Sequence, residues 1–121
     1  MIKLLLVEDD ANLCYIIRGG LEDMIGGYEV MTASNGEEGL KIWKEQHLDI
    51  IISDIEMPVM DGYEATKNIR EQKRFDKLPI IAMTANVFTE YRIRAKEAWM
   101  HEHVAKPVDL EFLINVIHKL L

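Results

Sequence analysis

The sequence predicts an α/β fold in which five parallel strands form one doubly wound sheet with helices on both faces. Short apolar segments without alternation, typical of strands buried on both faces, are separated by longer segments with apolar residues at helical spacing. The 121 residues have the size of a single domain, so we expect residues 1–121 to form one unit. Right-handed crossovers between such strands favour the strand order 2-1-3-4-5.

The first strand and first helix are predicted from the N-terminal 27 residues. Residues 2–7 are almost purely apolar, and residues 13–25 carry apolar side chains at helical spacing until two glycines end the helix. Gly19 and Gly20 lie inside this helix and each costs about 1 kcal/mol relative to alanine. We therefore expect a kink or close packing at these two glycines.

The rest of the chain continues the alternation of strands and helices. The further predicted strands span residues 28–33, 48–53, 78–83 and 104–105, and the further predicted helices span residues 36–46, 61–73, 89–100 and 110–120. The sequence contains no internal repeat and no low-complexity segment. Five strands and five helices are therefore expected in one sheet architecture.

Composition and charge exclude several classes of function. The content of 49% hydrophobic residues is too high for a disordered chain, and the net charge of -7 disfavours direct binding to nucleic acid. No apolar run approaches the roughly 18 residues that cross a bilayer, and we expect residues 1–3 to lead into the first strand rather than to belong to a signal peptide. We expect a cytoplasmic protein without membrane contact. The single cysteine, Cys14, is expected to be a small buried apolar residue without chemistry.

Polar residues follow four of the predicted strands. In open parallel sheets, ligands bind outside the carboxyl ends of the strands, near the point where the strand order reverses. These strand ends carry Glu8, Asp9 and Asp10 after strand one, Asp54 after strand three, Thr84 after strand four and Lys106 after strand five. We expect these side chains to converge at one edge of the sheet.

The acidic residues among them predict a metal site. Carboxylates gathered without a cation would repel one another, so the cluster indicates a hard divalent ion such as Mg²⁺, for which Mn²⁺ can substitute. Magnesium often completes its coordination with phosphate oxygens, so this edge is suited to a phosphoryl group. Thr84 and Lys106 would add a hydroxyl donor and a positive charge.

Each of these residues also has a simpler interpretation. Asp9 or Asp10 could cap the first helix, and Asp54 alone could be a turn former. Thr84 could be an ordinary strand residue and Lys106 a solvated charge. The conjunction favours a site, because four independent coincidences would otherwise have to place these residue types at one sheet edge.

Four segments resemble the response-regulator receivers of two-component signalling. They are VEDD at residues 7–10, DIEMPVMDG at 54–62, MTA at 83–85 and AKP at 105–107. The spacings of 30 residues between Asp54 and Thr84 and of 22 between Thr84 and Lys106 are also similar to that family. The resemblance covers nearly the whole chain and implies the flavodoxin-like variant of the doubly wound fold.

The resemblance implies a role for each of these residues. The implied roles are phosphoacceptor for Asp54, metal binding for Glu8, Asp9, Asp54 and the backbone carbonyl of Glu56, phosphoryl binding for Thr84 and Lys106, and space for phosphoryl entry at Ala85. The resemblance also implies a cis Lys106–Pro107 peptide, although only about 5–6% of such bonds are cis in folded proteins.

A receiver of this type implies a signalling function rather than an enzyme that acts on a separate substrate. The implied partner is a histidine kinase or a histidine phosphotransfer protein. Phosphorylation would switch the face formed by the fourth helix, fifth strand and fifth helix, and a homodimer could form through that face.

Some residues depart from the family pattern. His103 occupies the position of the usual switch aromatic, and we expect it to take over that role or to be a half-exposed histidine without one. Asn86 and His103 are similar to the receivers of hybrid sensor kinases. Glu56 and Asn86 are expected to tune the phosphoryl lifetime, and Trp99 stands where the family often has glycine.

Two other classes share part of this pattern. A flavodoxin-like cofactor binder would have a phosphate loop rich in Ser, Thr and Gly after strand one, where this chain is acidic. A haloacid-dehalogenase-like phosphatase would carry its nucleophile after strand one rather than after strand three, and it normally needs a longer chain. The positions of the acidic residues therefore favour the receiver.

Overall fold

The computed structural model describes residues 1–54, 66–67, 78–84 and 100–121, except for the side chain of His103. The helices predicted at 61–73 and 89–100 lie almost entirely outside these residues. Of the residues in these two predicted helices, the structure describes Thr66 and Lys67, which are helical, and Met100, which is not. The third and fourth helices therefore stay predictions.

The described strands form one parallel sheet in the predicted order, β2-β1-β3-β4-β5. They are β1 (Ile2–Val7), β2 (Tyr28–Ala33), β3 (Ile50–Asp54), β4 (Ile80–Thr84) and β5 (Glu102–Ala105). Val7 pairs with Ser53, and Thr84 pairs with Ala105. This register aligns the carboxyl ends of β1, β3, β4 and β5. The residues at these four strand ends therefore meet at one edge of the sheet.

The apolar strands are buried on both faces of the sheet. Leu4 and Leu6 of β1 belong to one hydrophobic cluster, and Leu5 and Val7 belong to the other. Successive side chains of a strand point to opposite faces, so a strand covered on both sides has no polar alternation. Each fully buried leucine stabilises the fold by about 1.5–3 kcal/mol relative to exposure.

Three described α-helices cover these faces, and each begins with a side-chain cap. They are α1 (Ala11–Gly19), α2 (Gly36–Glu45) and the C-terminal helix (Leu110–Leu120). Their caps are Asp10, Asn35 and Asp109, whose side-chain oxygens accept backbone N–H groups of the first turn. Among the described residues, no helix is both long and apolar enough to cross a bilayer.

The first helix changes its geometry halfway, at Gly20. It continues as a π-helical segment over Gly20–Ile25, in which the N–H of Gly26 donates to the carbonyl of Leu21 at 3.0 Å. The sequence predicted one helix over residues 13–25 with a kink or close packing at the two glycines, and the change to π-helical geometry at Gly20 was not predicted. The wider π turn rotates the positions after Gly20, and the side chains of Met24 and Ile25 are 82% and 46% exposed.

The structure confirms close packing at one residue of the glycine pair, Gly20. A Cβ atom added at Gly20 would lie 2.5 Å from Cδ1 of Leu110 in the C-terminal helix. A Cβ atom added at Gly19 would have no neighbour within 4 Å. Gly20 therefore permits the contact between the first helix and the C-terminal helix, whereas Gly19 does not take part in it.

We expect Gly20→Ala to be less stable than Gly19→Ala by about 1–2 kcal/mol, because only the former overpacks Leu110. Both substitutions gain about 1 kcal/mol of helix propensity, so the difference between them isolates the contact. Urea unfolding of the two variants measures this difference. Equal stabilities would contradict the packing argument.

Candidate functional site

The carboxyl edge of the sheet brings three of the predicted site residues into direct contact. Glu8 follows β1, Asp54 ends β3, and Lys106 follows β5. Nζ of Lys106 lies 3.0 Å from Oδ2 of Asp54, to which it donates a hydrogen bond. It also lies 2.6 Å from Oε1 of Glu8, with which it forms an ion pair. One ammonium group thus bridges two carboxylates from different strands.

The bridge lies mostly out of solvent. The Lys106 side chain is 22% exposed, and the side chains of Glu8 and Asp54 are 0% and 3% exposed. The second oxygen of Glu8, Oε2, accepts the N–H of Asp10 at 3.0 Å. Both oxygens of the Glu8 carboxylate are therefore held by neighbours, and its orientation is defined.

The pKa values of Glu8 and Lys106 are both raised, for different physical reasons. Burial raises the pKa of Glu8 to about 7, against the opposing effect of Lys106. Burial alone would lower the pKa of Lys106, but its contacts with Glu8 and Asp54 outweigh burial and raise it. The ammonium stays charged, yet one positive charge shared by two buried carboxylates leaves Glu8 short of a counter-ion.

Asp9 completes an acidic group that fits a divalent cation. One carboxylate oxygen each from Glu8, Asp9 and Asp54 can be chosen so that all three lie within 4.8 Å of one another. Asp9 is exposed and the other two are buried. When ionised, these carboxylates carry two negative charges more than Lys106 neutralises, and all the donors are oxygen atoms. Such a set fits the coordination preferences of Mg²⁺ or Mn²⁺.

Asp10 does not belong to this acidic group. Its Oδ1 accepts the N–H groups of Asn12 at 2.9 Å and Leu13 at 3.3 Å, which caps α1. The alternative that one of the two aspartates is a helix cap is therefore correct for Asp10. Capping by Asp10 begins the helix immediately after the acidic residues and fixes the chain direction there.

Thr84 is fully buried at the end of β4. Its carbonyl accepts the N–H of Lys106 at 2.8 Å, so the ends of β4 and β5 are joined beside the site. The Lys106–Pro107 peptide is cis, as the family resemblance implied. Thr84 and Lys106 are thus neighbours through the backbone.

Cys14 supports the site in a way that the sequence did not indicate. Its Sγ donates to the carbonyl of Glu8 at 3.4 Å, across the turn between β1 and α1. Burial raises the pKa of Cys14 to about 11, so the thiol stays protonated and available as this donor. No spacing signal in the sequence identifies such a thiol-to-backbone contact.

Several residues with expected roles lie outside the described part of the chain. They are Glu56, Ala85, Asn86 and Trp99, together with the side chain of His103. The backbone of His103 lies within β5. Their expected roles stay predictions.

Comparison with known proteins places this geometry in a family. Residues 4–118 match the response regulator receiver domain. The chain is 36% identical over 119 residues to the probable transcriptional regulator ycf29 of Pyropia yezoensis, covering 98% of this chain and 53% of that protein. It is 38% identical over 112 residues to the sensor histidine kinase RcsC of Escherichia coli K12, covering 91% of this chain and 11% of that kinase. The chain thus spans about half of the first relative and about a tenth of the second.

Solved structures agree with this assignment over the entire fold. The chemotaxis protein CheY4 of Vibrio cholerae is similar with a TM-score of 0.93 and 33% identity, covering 100% of this chain and 99% of that one. The receiver domain of the sensor histidine kinase PA1611 of Pseudomonas aeruginosa PAO1, solved with a magnesium ion coordinated in its active-site cleft, has a TM-score of 0.88 and 33% identity over 98% of this chain and 96% of its own. The chain belongs to the response regulator receiver domain family of two-component signalling.

Proposed function

We propose that Asp54 accepts a phosphoryl group from the phosphohistidine of a histidine kinase or a histidine phosphotransfer protein, in a magnesium-dependent reaction. The observation that carries this proposal is the Lys106 ammonium, 3.0 Å from Asp54 and bridging to Glu8. A buried carboxylate at a sheet edge, with a cation fixed beside it, is suited to nucleophilic attack on a charged group.

In the proposed reaction, a carboxylate oxygen of Asp54 attacks the phosphorus and the bond from phosphorus to the imidazole nitrogen breaks. Lys106 neutralises charge on the phosphoryl oxygens, and Thr84 supplies a hydroxyl donor at the neighbouring strand end. Glu8, Asp9, Asp54 and the backbone carbonyl of Glu56 would hold Mg²⁺, which adds positive charge next to the phosphoryl oxygens.

We propose that the phosphoryl group also acts as a switch. It would compete for the ammonium that holds Glu8 and Asp54 together, and Lys106 is joined to Thr84 through the backbone. New charge-assisted bonds there would bias the packing of the face formed by the predicted fourth helix, β5 and the C-terminal helix. This face would carry the output and a homodimer, and the role of His103 in the switch stays a hypothesis.

The proposed chemistry is confined to the phosphorylation and dephosphorylation of Asp54. Family membership identifies a signalling domain, and we propose that residues 1–121 act as one receiver unit. The positions of the acidic residues, together with family membership, favour this function over a flavodoxin-like cofactor binder or a haloacid-dehalogenase-like phosphatase.

Asp54→Asn and Asp54→Ala should abolish stable phosphorylation by acetyl phosphate or a phosphohistidine donor, because the attacking carboxylate is removed. Acid-labile phosphate on the intact protein, measured by mass spectrometry, checks this. Asp23→Asn, at an acidic residue on the π-helical segment, is the control and should be phosphorylated normally. Stoichiometric phosphate on the Asp54→Ala variant would contradict the assignment of Asp54 as the phosphoacceptor.

Asp9→Ala should weaken Mg²⁺ binding by at least about tenfold, because it removes an exposed oxygen ligand without disturbing the core. Asp10→Asn is the matched control, since asparagine keeps the helix cap. Isothermal titration with MgCl₂ measures both variants. Equal affinities of the Asp9→Ala variant and the wild type would exclude Asp9 from the metal site.

Lys106→Ala should retain Mg²⁺ binding but slow phosphotransfer by about a hundredfold or more, the range for removing one preorganised charge-stabilising donor. Lys106→Arg keeps the positive charge and should recover part of the rate. Single-turnover transfer from a phosphorylated donor measures the rates. Transfer by Lys106→Ala at the wild-type rate would reduce Lys106 to a structural counter-ion.

A further inference from the structure

The sheet has an open edge at β2, on the side remote from β5. Within the described residues, β2 pairs only with β1, so one row of its backbone groups faces away from the sheet. Such an edge is a template for pairing with another chain, and stable monomeric proteins usually obstruct it. The group that blocks the edge of β2 therefore affects whether this protein associates with other chains through that strand.

The side chain of Glu22 occupies the middle of this edge. Its Oε2 accepts the N–H of Val30 at 2.8 Å, although Glu22 belongs to the π-helical segment and Val30 to the strand. Carbonyls of Gly27 and Ala33 face β1, where they accept the N–H groups of Ile2 and Glu8. Backbone groups of a strand alternate in direction, so the N–H of Val30 faces outward.

The carboxylate of Glu22 is held in place from both sides. Its other oxygen, Oε1, accepts the Nε–H of Arg18 at 3.0 Å, so each oxygen has its own donor. The bond from Val30, and then the contact with Arg18, holds the pKa of Glu22 below its usual range. A bond to an ionised acceptor is stronger than one between neutral groups.

The open edge is self-complementary when a second copy of this strand is placed antiparallel to it and centred on Val30. In that register, Tyr28 lies opposite Thr32, and these residues share the outward direction of Val30. Glu29 lies opposite Met31, so the Glu29 carboxylates of the two copies do not face each other. A two-fold axis then relates the copies, the usual symmetry of homodimers.

We propose that Glu22 is an autoinhibitory clasp on the open edge of the sheet, and that its removal allows β2 to pair with β2 of a second copy of this chain. The clasp works because the N–H of Val30 would be the central donor in that pairing and is already taken. This dimer is distinct from the one proposed on the face that contains β5, since the two edges lie at opposite ends of the sheet.

The test compares Glu22→Ala and Glu22→Gln with Asp23→Ala, which removes the same charge from the neighbouring position. Amide hydrogen exchange at Val30 is measured by NMR on dilute samples, and association by sedimentation velocity over a concentration series. Heteronuclear spectra of each variant check that the fold is retained, and the glutamine variant carries the test if the alanine variant does not fold.

In Glu22→Ala we expect exchange at Val30 to accelerate by about tenfold or more, the equivalent of one charge-assisted bond. We also expect a dimer whose fraction rises with concentration and in which the amides of β2 regain protection. Glu22→Gln should fall between this variant and the wild type, since its amide oxygen accepts only a neutral bond, and Asp23→Ala should match the wild type.

Three results would overturn the proposal. The first is exchange at Val30 in Glu22→Ala as slow as in Asp23→Ala. The second is accelerated exchange without more association than the control shows. The third is a dimer in which protection appears at β5 rather than at β2.

Discussion

The Lys106 ammonium between Glu8 and Asp54 is the interaction on which the site depends. It joins the ends of three strands, because its carboxylate partners follow β1 and end β3 while Lys106 itself follows β5. Buried carboxylates are costly without a counter-ion, and the loss of one partner leaves the others uncompensated. The ammonium therefore stabilises the charged edge, and in the proposed function the same charge would also assist phosphoryl transfer.

The parallel arrangement of the strands makes this convergence possible. All strands point the same way, so residues distant in sequence are delivered to one edge, while the apolar strand interiors bury both faces. The Asp10 cap and the Cys14 thiol then fix the turn that carries Glu8. The interior of each strand thus packs in the apolar core, and the charged residues lie at or just after the strand ends.

Much of this could be predicted from the sequence, because periodicity and strand-end residues are local signals. The strand order and the convergence of Glu8, Asp54 and Lys106 are confirmed. The cis Lys106–Pro107 peptide is also confirmed, but the family resemblance implied it, and the background frequency of cis X–Pro bonds favoured trans. The fifth strand is longer than predicted, since it begins at Glu102. Its pairing with β4 recruits polar residues that an apolar pattern does not identify.

The contacts that were not predicted join a side chain to a distant backbone group or depend on helix geometry. The bond from Val30 to Glu22, the bond from Cys14 to Glu8, and the π turn after Gly20 have no periodic signature. Met24 and Ile25 on the π-helical segment are exposed despite their helical spacing, as is Ile16 on the regular part of the helix. Such contacts form only when the chain is packed, and the spacing of residues along the sequence does not indicate them.

The protonated state of Cys14 has a practical consequence for labelling this protein. With a pKa of about 11, only about one thiol in ten thousand is a thiolate at pH 7, and the thiolate is the form that reacts with electrophiles. The thiol is also engaged with the backbone beneath the acidic edge. Since the chain has no other cysteine, one introduced at an exposed position would take up a maleimide dye far faster than the native thiol. We therefore expect fluorescent or spin probes to label an introduced, exposed cysteine in preference to Cys14.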